Sequence, residues 1–345
     1  MKTYFQRVAK RTPTRLWVNN AVPHEAETAL QAGAVGASTN PTYPSKLESG
    51  YLNGFIDSVV GGSNDDDWIA EEVYRRTVAR LQRVFHPLYR ETRGRLGHVA
   101  IQGDPRVNCD PDAIMDGALR YFAEMEENLI VKVPATPAGA KVMEKLTAMG
   151  YPTIATMGFS VDQAIYMAEA HRRGLAKTEA RPVCYVTYIA GILEDYLKAE
   201  NAKQGSPVSD EVIEQAGCVG HRAAYRMYRE RGYEAILIGG GARGVRHFTD
   251  LVGGDMAITI GWDLLEELIK RDGPVVSHIE DGTPANVIAA LDNHIPDFGR
   301  AYRENSLQPE EYSAFGPVVF FQRAFLKGVD LLLRAIRERR KALRS

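Results

Sequence analysis

The run Asn128-Leu129-Ile130-Val131-Lys132-Val133-Pro134-Ala135-Thr136 sets one lysine inside an otherwise apolar stretch. Leu129, Ile130, Val131 and Val133 read as a strand buried on both faces, the pattern of a parallel sheet covered by other layers on each side. A charged ammonium in that position costs several kcal/mol, so Lys132 either finds a partner or gives up its proton. As a neutral amine it is a nucleophile. It can add to a carbonyl and form an iminium that accepts electrons when a neighbouring carbon–carbon bond breaks. The bland alternative is a strand-end lysine whose stem packs while its head reaches solvent.

The residues after the strand bear on that choice. Thr136 is a good N-cap, Pro137 suits the first helical turn, and Val142, Leu146 and Met149 repeat at helical spacing up to Gly150. Lys132 therefore lies near the C-terminal end of a strand that leads into a helix. In a barrel of alternating strands and helices, that end is the catalytic face.

The same alternation runs along the chain. Residues 14–20 read as a first strand, 25–31 as the helix after it, and 34–38 as a second strand running into Thr39-Asn40-Pro41. Strands are expected at 98–102, at the lysine run, and at 151–156, 182–187, 235–238 and 256–260. Helical sequence separates them at 68–89, 111–125, 162–173, 192–202 and 210–231, and comes after the last at 263–270. Eight strands, each followed by helical sequence, predict a single (β/α)8 TIM barrel over about residues 14–272. A C-terminal helical extension at about 310–345 is added to it, making residues 1–345 one domain. Within it Phe325, Val329, Leu332, Leu333 and Ile336 repeat at helical spacing over 318–343, opposite an arginine-rich face. The helix is expected to pack on the barrel with its basic end solvated; a second subunit in a homo-oligomer is the other candidate for its partner.

Composition narrows the function classes. A formal net charge of −2 gives no electrostatic reason to expect nucleic acid or an anionic membrane as a partner. No apolar stretch is long enough to span a bilayer, and residues 1–15 lack the apolar core of a signal peptide, so the expectation is a cytoplasmic protein. Cys109, Cys184 and Cys218 are odd in number and far apart, as reduced thiols are. Cys109 and His98 lack the paired ligands of a zinc site, and no metal is expected.

Four stretches in barrel order resemble the transaldolase family: residues 36–41 (Gly-Ala-Ser-Thr-Asn-Pro), 129–136, 150–156 (Gly-Tyr-Pro-Thr-Ile-Ala-Thr) and 253–260 (Gly-Gly-Asp-Met-Ala-Ile-Thr-Ile). The resemblance implies a (β/α)8 barrel and class I aldol chemistry without metal or organic cofactor. It makes Lys132 the Schiff-base lysine. It gives Asn40, in the turn with Thr39, contact with substrate hydroxyls, Thr156 the catalytic water, and Arg243 the phosphate end of the site.

The departures are as informative. Asn19 and Gln102 stand where the family carries an aspartate and a glutamate, and an amide cannot take a proton as a carboxylate does. Aligning residues 186–196 places Tyr188 at a family phenylalanine and Gly191 at a phosphate-binding arginine. Gln102, Tyr188 and Thr156 together resemble the fructose-6-phosphate aldolase branch, in which the tyrosine helps move the proton. The loss of the arginine puts a phosphorylated substrate in doubt.

The reading is a transaldolase-like class I enzyme of carbohydrate metabolism that makes or breaks a carbon–carbon bond of a ketose or dihydroxyacetone-type donor, a sugar or sugar phosphate. Lys132, Tyr188, Gln102 and Thr156 are its catalytic candidates; Asn19, Thr39, Asn40 and Arg243 are its substrate-binding ones. The alternative is a divergent barrel with lost or redirected chemistry, acting as a sugar-binding or regulatory protein. Gly239-Gly240-Gly241-Ala242-Arg243-Gly244 also matches G-x-G-x-x-G, but a dinucleotide fold starting there has too few strands left to complete it.

Overall fold

Eight parallel strands close on one another in chain order in the computed structural model, which describes residues 2–343. Helix α1 (Tyr4–Arg11) precedes β1 (Arg15–Asn19), and α2 (Pro23–Ala32) leads to β2 (Ala34–Ser38). Helices α3 (Ser49–Asp57) and α4 (Asp66–Glu91) lead to β3 (His98–Gln102), and α5 (Pro111–Glu124) to β4 (Leu129–Pro134). Helix α6 (Pro137–Ala148) leads to β5 (Thr153–Thr156) and α7 (Val161–Leu175) to β6 (Cys184–Ile189). Three helices come next, α8 (Ala190–Gln204), α9 (Asp210–Ile213) and α10 (Ala216–Arg231), then β7 (Ile236–Gly240), α11 (Arg246–Thr249), β8 (Ala257–Gly261) and α12 (Trp262–Arg271). Beyond the barrel lie α13 (Ala285–His294), α14 (Pro296–Tyr302) and α15 (Gly316–Ala342). Strand β8 pairs with β1 from Arg15↔Ala257 to Asn19↔Gly261, which closes the cylinder. The (β/α)8 TIM barrel with an added C-terminal helix expected from the alternation is the fold observed.

Local chemistry sets the element ends. Thr136 caps α6 by accepting a hydrogen bond from Gly139 N at 3.2 Å, with Pro137 in the first turn, and Gly150 leaves the helix at φ +85°. Asp110 caps α5 by accepting from the amides of Asp112 and Ala113. Helices α1, α3, α11, α13 and α14 went unread in the sequence. Strand β6 is also displaced, running two residues past the expected end at 187.

Two cores hold the barrel together. The larger lies between strands and helices. The smaller, of Trp17, Ala100, Ile130, Ile154, Tyr185, Ile238 and Ala257, fills the inside of the cylinder. Gly36 makes room for it: a Cβ there would stand 2.6 Å from the Trp17 ring. Because strand side chains alternate, each residue two positions on from this layer stands on the same inner face, one level nearer the C-terminal mouth. That upper level holds Asn19, Gln102, Lys132, Thr156, Thr187, Gly240 and Thr259.

Helix α15 packs against α3, α4 and α8, burying Phe325, Leu332, Leu333 and Ile336. Gln322 Nε2 donates to Pro105 O at 3.0 Å. Its basic end is not simply solvated, as expected, but paired. Arg339 binds Asp57 through two contacts of 2.5 and 2.6 Å, and Arg337 and Arg340 both reach Asp66.

Candidate active site

Lys132 rises from β4 into the barrel, where it is 9 % exposed. Its Nζ donates to the backbone carbonyl of Thr39 at 2.9 Å, and among the described residues no carboxylate pairs with it. Burial alone lowers its pKa from the usual lysine value to about 7, so near neutrality a large share of the amine carries no excess proton.

The amine meets a cavity of about 220 Å³ over the centre of the barrel. Asn19, Asn40, Thr156 and Arg243 line it with Lys132, so five of the eight expected site residues come together here. Asn40 Oδ1 accepts from the amide and hydroxyl of Thr42, at 3.0 and 2.7 Å, which holds the Asn40 side chain in place. Asn20, which the sequence reading passed over, adopts a left-handed φ of +49° and accepts from Asn40 N at 3.2 Å. Asparagine tolerates that conformation better than most residues. Thr187 and Thr259 add hydroxyls to the wall, and Phe321 and Phe325 of α15 cover it. The two-residue step from the inner core would have identified both threonines, whereas nothing in a helical repeat marks which ring overhangs a site.

Gln102 pairs in register with Lys132 across β3 and β4. It lines an adjoining cavity of about 300 Å³, together with Lys132 and Thr156. Two further assignments need correction. Thr39 turns its side chain outward, its hydroxyl bonded to Ala100 O and Tyr74 Oη at 2.8 Å each; only its carbonyl serves the site. Tyr188 is likewise outside the barrel. It lies three residues after Tyr185, not two, so it faces the helix layer, where its hydroxyl donates to Ala301 O at 3.3 Å and its ring packs on His221. Burial pushes the Tyr188 phenol far above its usual range. The residue of β6 that reaches the cavity in its place is Ile189. A one-residue slip moves a strand's side chains to the opposite face. By the same step, the position matched to the lost arginine moves from Gly191 to Ile192, which also lines the cavity.

The cationic end is partly neutralised. Arg243 Nε donates to Asp195 Oδ2 at 2.5 Å, while Lys46 is exposed at the mouth. Behind it, the buried carboxylate of Glu194 is held by Arg246, by His247 Nε2 at 3.1 Å and by the amide of Gly217 at 3.1 Å. None of the described residues lining the central cavity is an aspartate or glutamate. Among the described residues, no group of three or more His, Cys, Asp or Glu is placed to hold a metal ion, and no helix is long and apolar enough to cross a membrane.

Residues 16–305 match the model of the family described as Transaldolase/Fructose-6-phosphate aldolase. The chain belongs to that family. A transaldolase of Thiobacillus denitrificans is 29% identical over 243 residues, 67% of this chain and 66% of the relative. One from Prochlorococcus marinus is 24% identical over 310 residues, 88% and 85% of the two chains. One from Trichodesmium erythraeum is 29% identical over 154 residues, 43% and 40%. The matches to the Thiobacillus and Trichodesmium proteins thus cover less than two thirds of those relatives' length. Membership supports an aldolase-type enzyme. Of the positions that drew the sequence toward the aldolase branch, Gln102 and Thr156 stand beside Lys132 and Tyr188 does not.

Proposed function

We propose that this barrel is a transaldolase-type class I aldolase, making or breaking a carbon–carbon bond of a ketose or dihydroxyacetone-type donor through an imine on Lys132. The observation that carries the reading is the state of that amine: buried, bonded to one backbone carbonyl, and titrating at about 7. The neutral amine attacks the donor carbonyl, the carbinolamine takes up one proton from solvent, and water leaves, giving an iminium. When the adjacent carbon–carbon bond breaks, its electron pair moves onto the iminium to form an enamine, and the far fragment departs as an aldehyde. The proton released from the cleaved carbinol passes to water, for which Gln102 and Thr156 are the neighbouring hydrogen-bonding groups. Asn19 and Asn40 orient donor hydroxyls, and Arg243 stands at the far end of the central cavity. In synthesis the same steps run backwards onto an acceptor aldehyde.

The carboxylate-free lining favours a second reading, a barrel that binds a sugar without turning it over. Borohydride reduction separates the two. With dihydroxyacetone, and separately with fructose 6-phosphate, a catalyst yields a reduced adduct that peptide mapping confines to Lys132 and that Lys132→Met abolishes. Failure to trap either ligand, with the protein folded, leaves the binding protein as the better account.

A further inference from the structure

The cavity of about 300 Å³ beside the central one has a different chemical character. It lies between α5 and the ends of β3, β4 and β5, bounded by Gln102, Lys132 and Thr156 on the barrel side and by Asn108, Gly117 and Tyr121 on the other. Lys132 and Thr156 line both cavities, which sets the side cavity directly against the reactive lysine. We propose that this side cavity is the subsite for the aldehyde half of the reaction, and that it takes a short unphosphorylated hydroxyaldehyde. The proposal rests on the class I aldolase reading above.

Three independent features point to that ligand. Gln102 is 3 % exposed, yet among the described residues neither its Oε1 nor its Nε2 has a hydrogen-bond partner. A buried amide left so is unfavourable, and a ligand offering both a donor and an acceptor removes the cost. A hydroxyaldehyde offers both. Charge is the second feature: Glu71, Asp104 and Asp116 line the cavity, and the cations beside it are already engaged, Arg120 by Glu71 and Arg106 by Asp104, which leaves no free guanidinium among the described lining residues for a phosphate. Carboxylates accept hydroxyl hydrogens and repel a phosphate dianion. The third is continuity. Gln102, Asp104 and Tyr121 also line an outer groove of about 450 Å³ reaching Trp68, whose indole is 47 % exposed and offers an apolar face to the C–H side of a polyol.

In synthesis the enamine on Lys132 attacks the aldehyde carbon. The new carbon–carbon bond uses the enamine electron pair, the nitrogen becomes an iminium, and the aldehyde oxygen takes a proton from water. Water then hydrolyses the iminium and frees the ketose.

The test fills the side cavity from α5. A Cβ at Gly117 meets nothing nearer than the Arg120 guanidinium at 3.9 Å, and replacing a helical glycine raises helix propensity, so Gly117→Leu is expected to fold. Turnover is measured with dihydroxyacetone as donor and glyceraldehyde or glyceraldehyde 3-phosphate varied. The expected result is a KM for glyceraldehyde raised roughly tenfold or more in Gly117→Leu, with kcat at saturating aldehyde little changed. Gly117→Ala serves as the small-volume comparison. An unchanged KM in Gly117→Leu overturns the assignment, and so does a clear preference of the wild type for the phosphorylated aldehyde. Calorimetric titration of glyceraldehyde into Lys132→Met, which cannot form the imine, gives a readout apart from catalysis. Saturable binding that Gly117→Leu removes supports the subsite even if borohydride trapping fails and the aldolase reading falls. Absence of binding overturns the subsite even if trapping succeeds.

Discussion

Gln102 and Lys132 occupy paired positions on β3 and β4, so an uncharged amide stands where a carboxylate would hold the neighbouring amine protonated. The low pKa of Lys132 comes from burial without that partner. Changing Gln102 to glutamate should therefore reverse it. An opposite charge within a few ångströms favours the ammonium, and in Gln102→Glu the midpoint of imine formation should move up by about 1–3 pH units. Borohydride trapping with dihydroxyacetone across pH 5–10 measures the midpoint; an unmoved one would mean that the two side chains do not interact.

In the wild-type protein the same profile should show a single rise. Imine formation needs the neutral amine, which gains population as pH climbs through about 7. No carboxylate among the described residues lines the central cavity to add an acid limb near pH 4–5. A bell-shaped trapping profile would place an unrecognised ionising group in contact with the donor.

Lys132→Met should stabilise the fold. The unfolded amine titrates near 10.5 and the folded one near 7, so between those values the unfolded chain binds a proton that the folded chain does not, and wild-type stability rises with pH. Below pH 7 the full penalty, several kcal/mol, is present, and methionine removes it. Urea melts at pH 6 and pH 10 should show a gain at pH 6 that shrinks at pH 10. An equal gain at both would trace it to packing and not to proton linkage.

Tyr188→Phe should leave turnover within about twofold and cost about 1 kcal/mol of stability, the worth of one hydrogen bond to Ala301 O. Paired kinetics and urea melts decide this. A loss of activity of two orders of magnitude with unchanged stability would return the phenol to the chemistry.

Glu194→Ala should be far more costly. It strips the buried partners of Arg246 and His247 and the acceptor of Gly217 N, joining α8 to α10 and α11. Removing one member of a buried charged cluster costs about 3–5 kcal/mol. A loss below about 1 kcal/mol in urea melts would show that solvent reaches the cluster.

The contrast between Lys132 and Tyr188 marks how far the site was legible in the sequence. Lys132 could be read because a charge inside an apolar strand is anomalous whatever the register. Strands β2 and β3 were bounded correctly, since a short apolar run leaves little choice of ends. Strand β6 was read as ending at Thr187, two residues early, and the motif alone did not say which side of the sheet its tyrosine faced. Thr39 misled for a related reason: a turn motif identifies the bend, but not which of its atoms faces the cavity. Helices α13 and α14 are short segments separated by Ile295, each burying only two or three side chains, and such segments carry too weak a period to read. The overhang of Phe321 and Phe325 depends on where α15 crosses the barrel, which is a property of the tertiary packing.

The inner plug of Trp17 against Gly36 has a consequence for how such a protein can diverge. The floor and the reactive level are carried by the same strands but sit two residues apart, so an exchange such as an amide for an acid at position 19 or 102 leaves the lower packing untouched. New specificity can be tried in the upper tier while the indole below keeps the cylinder filled.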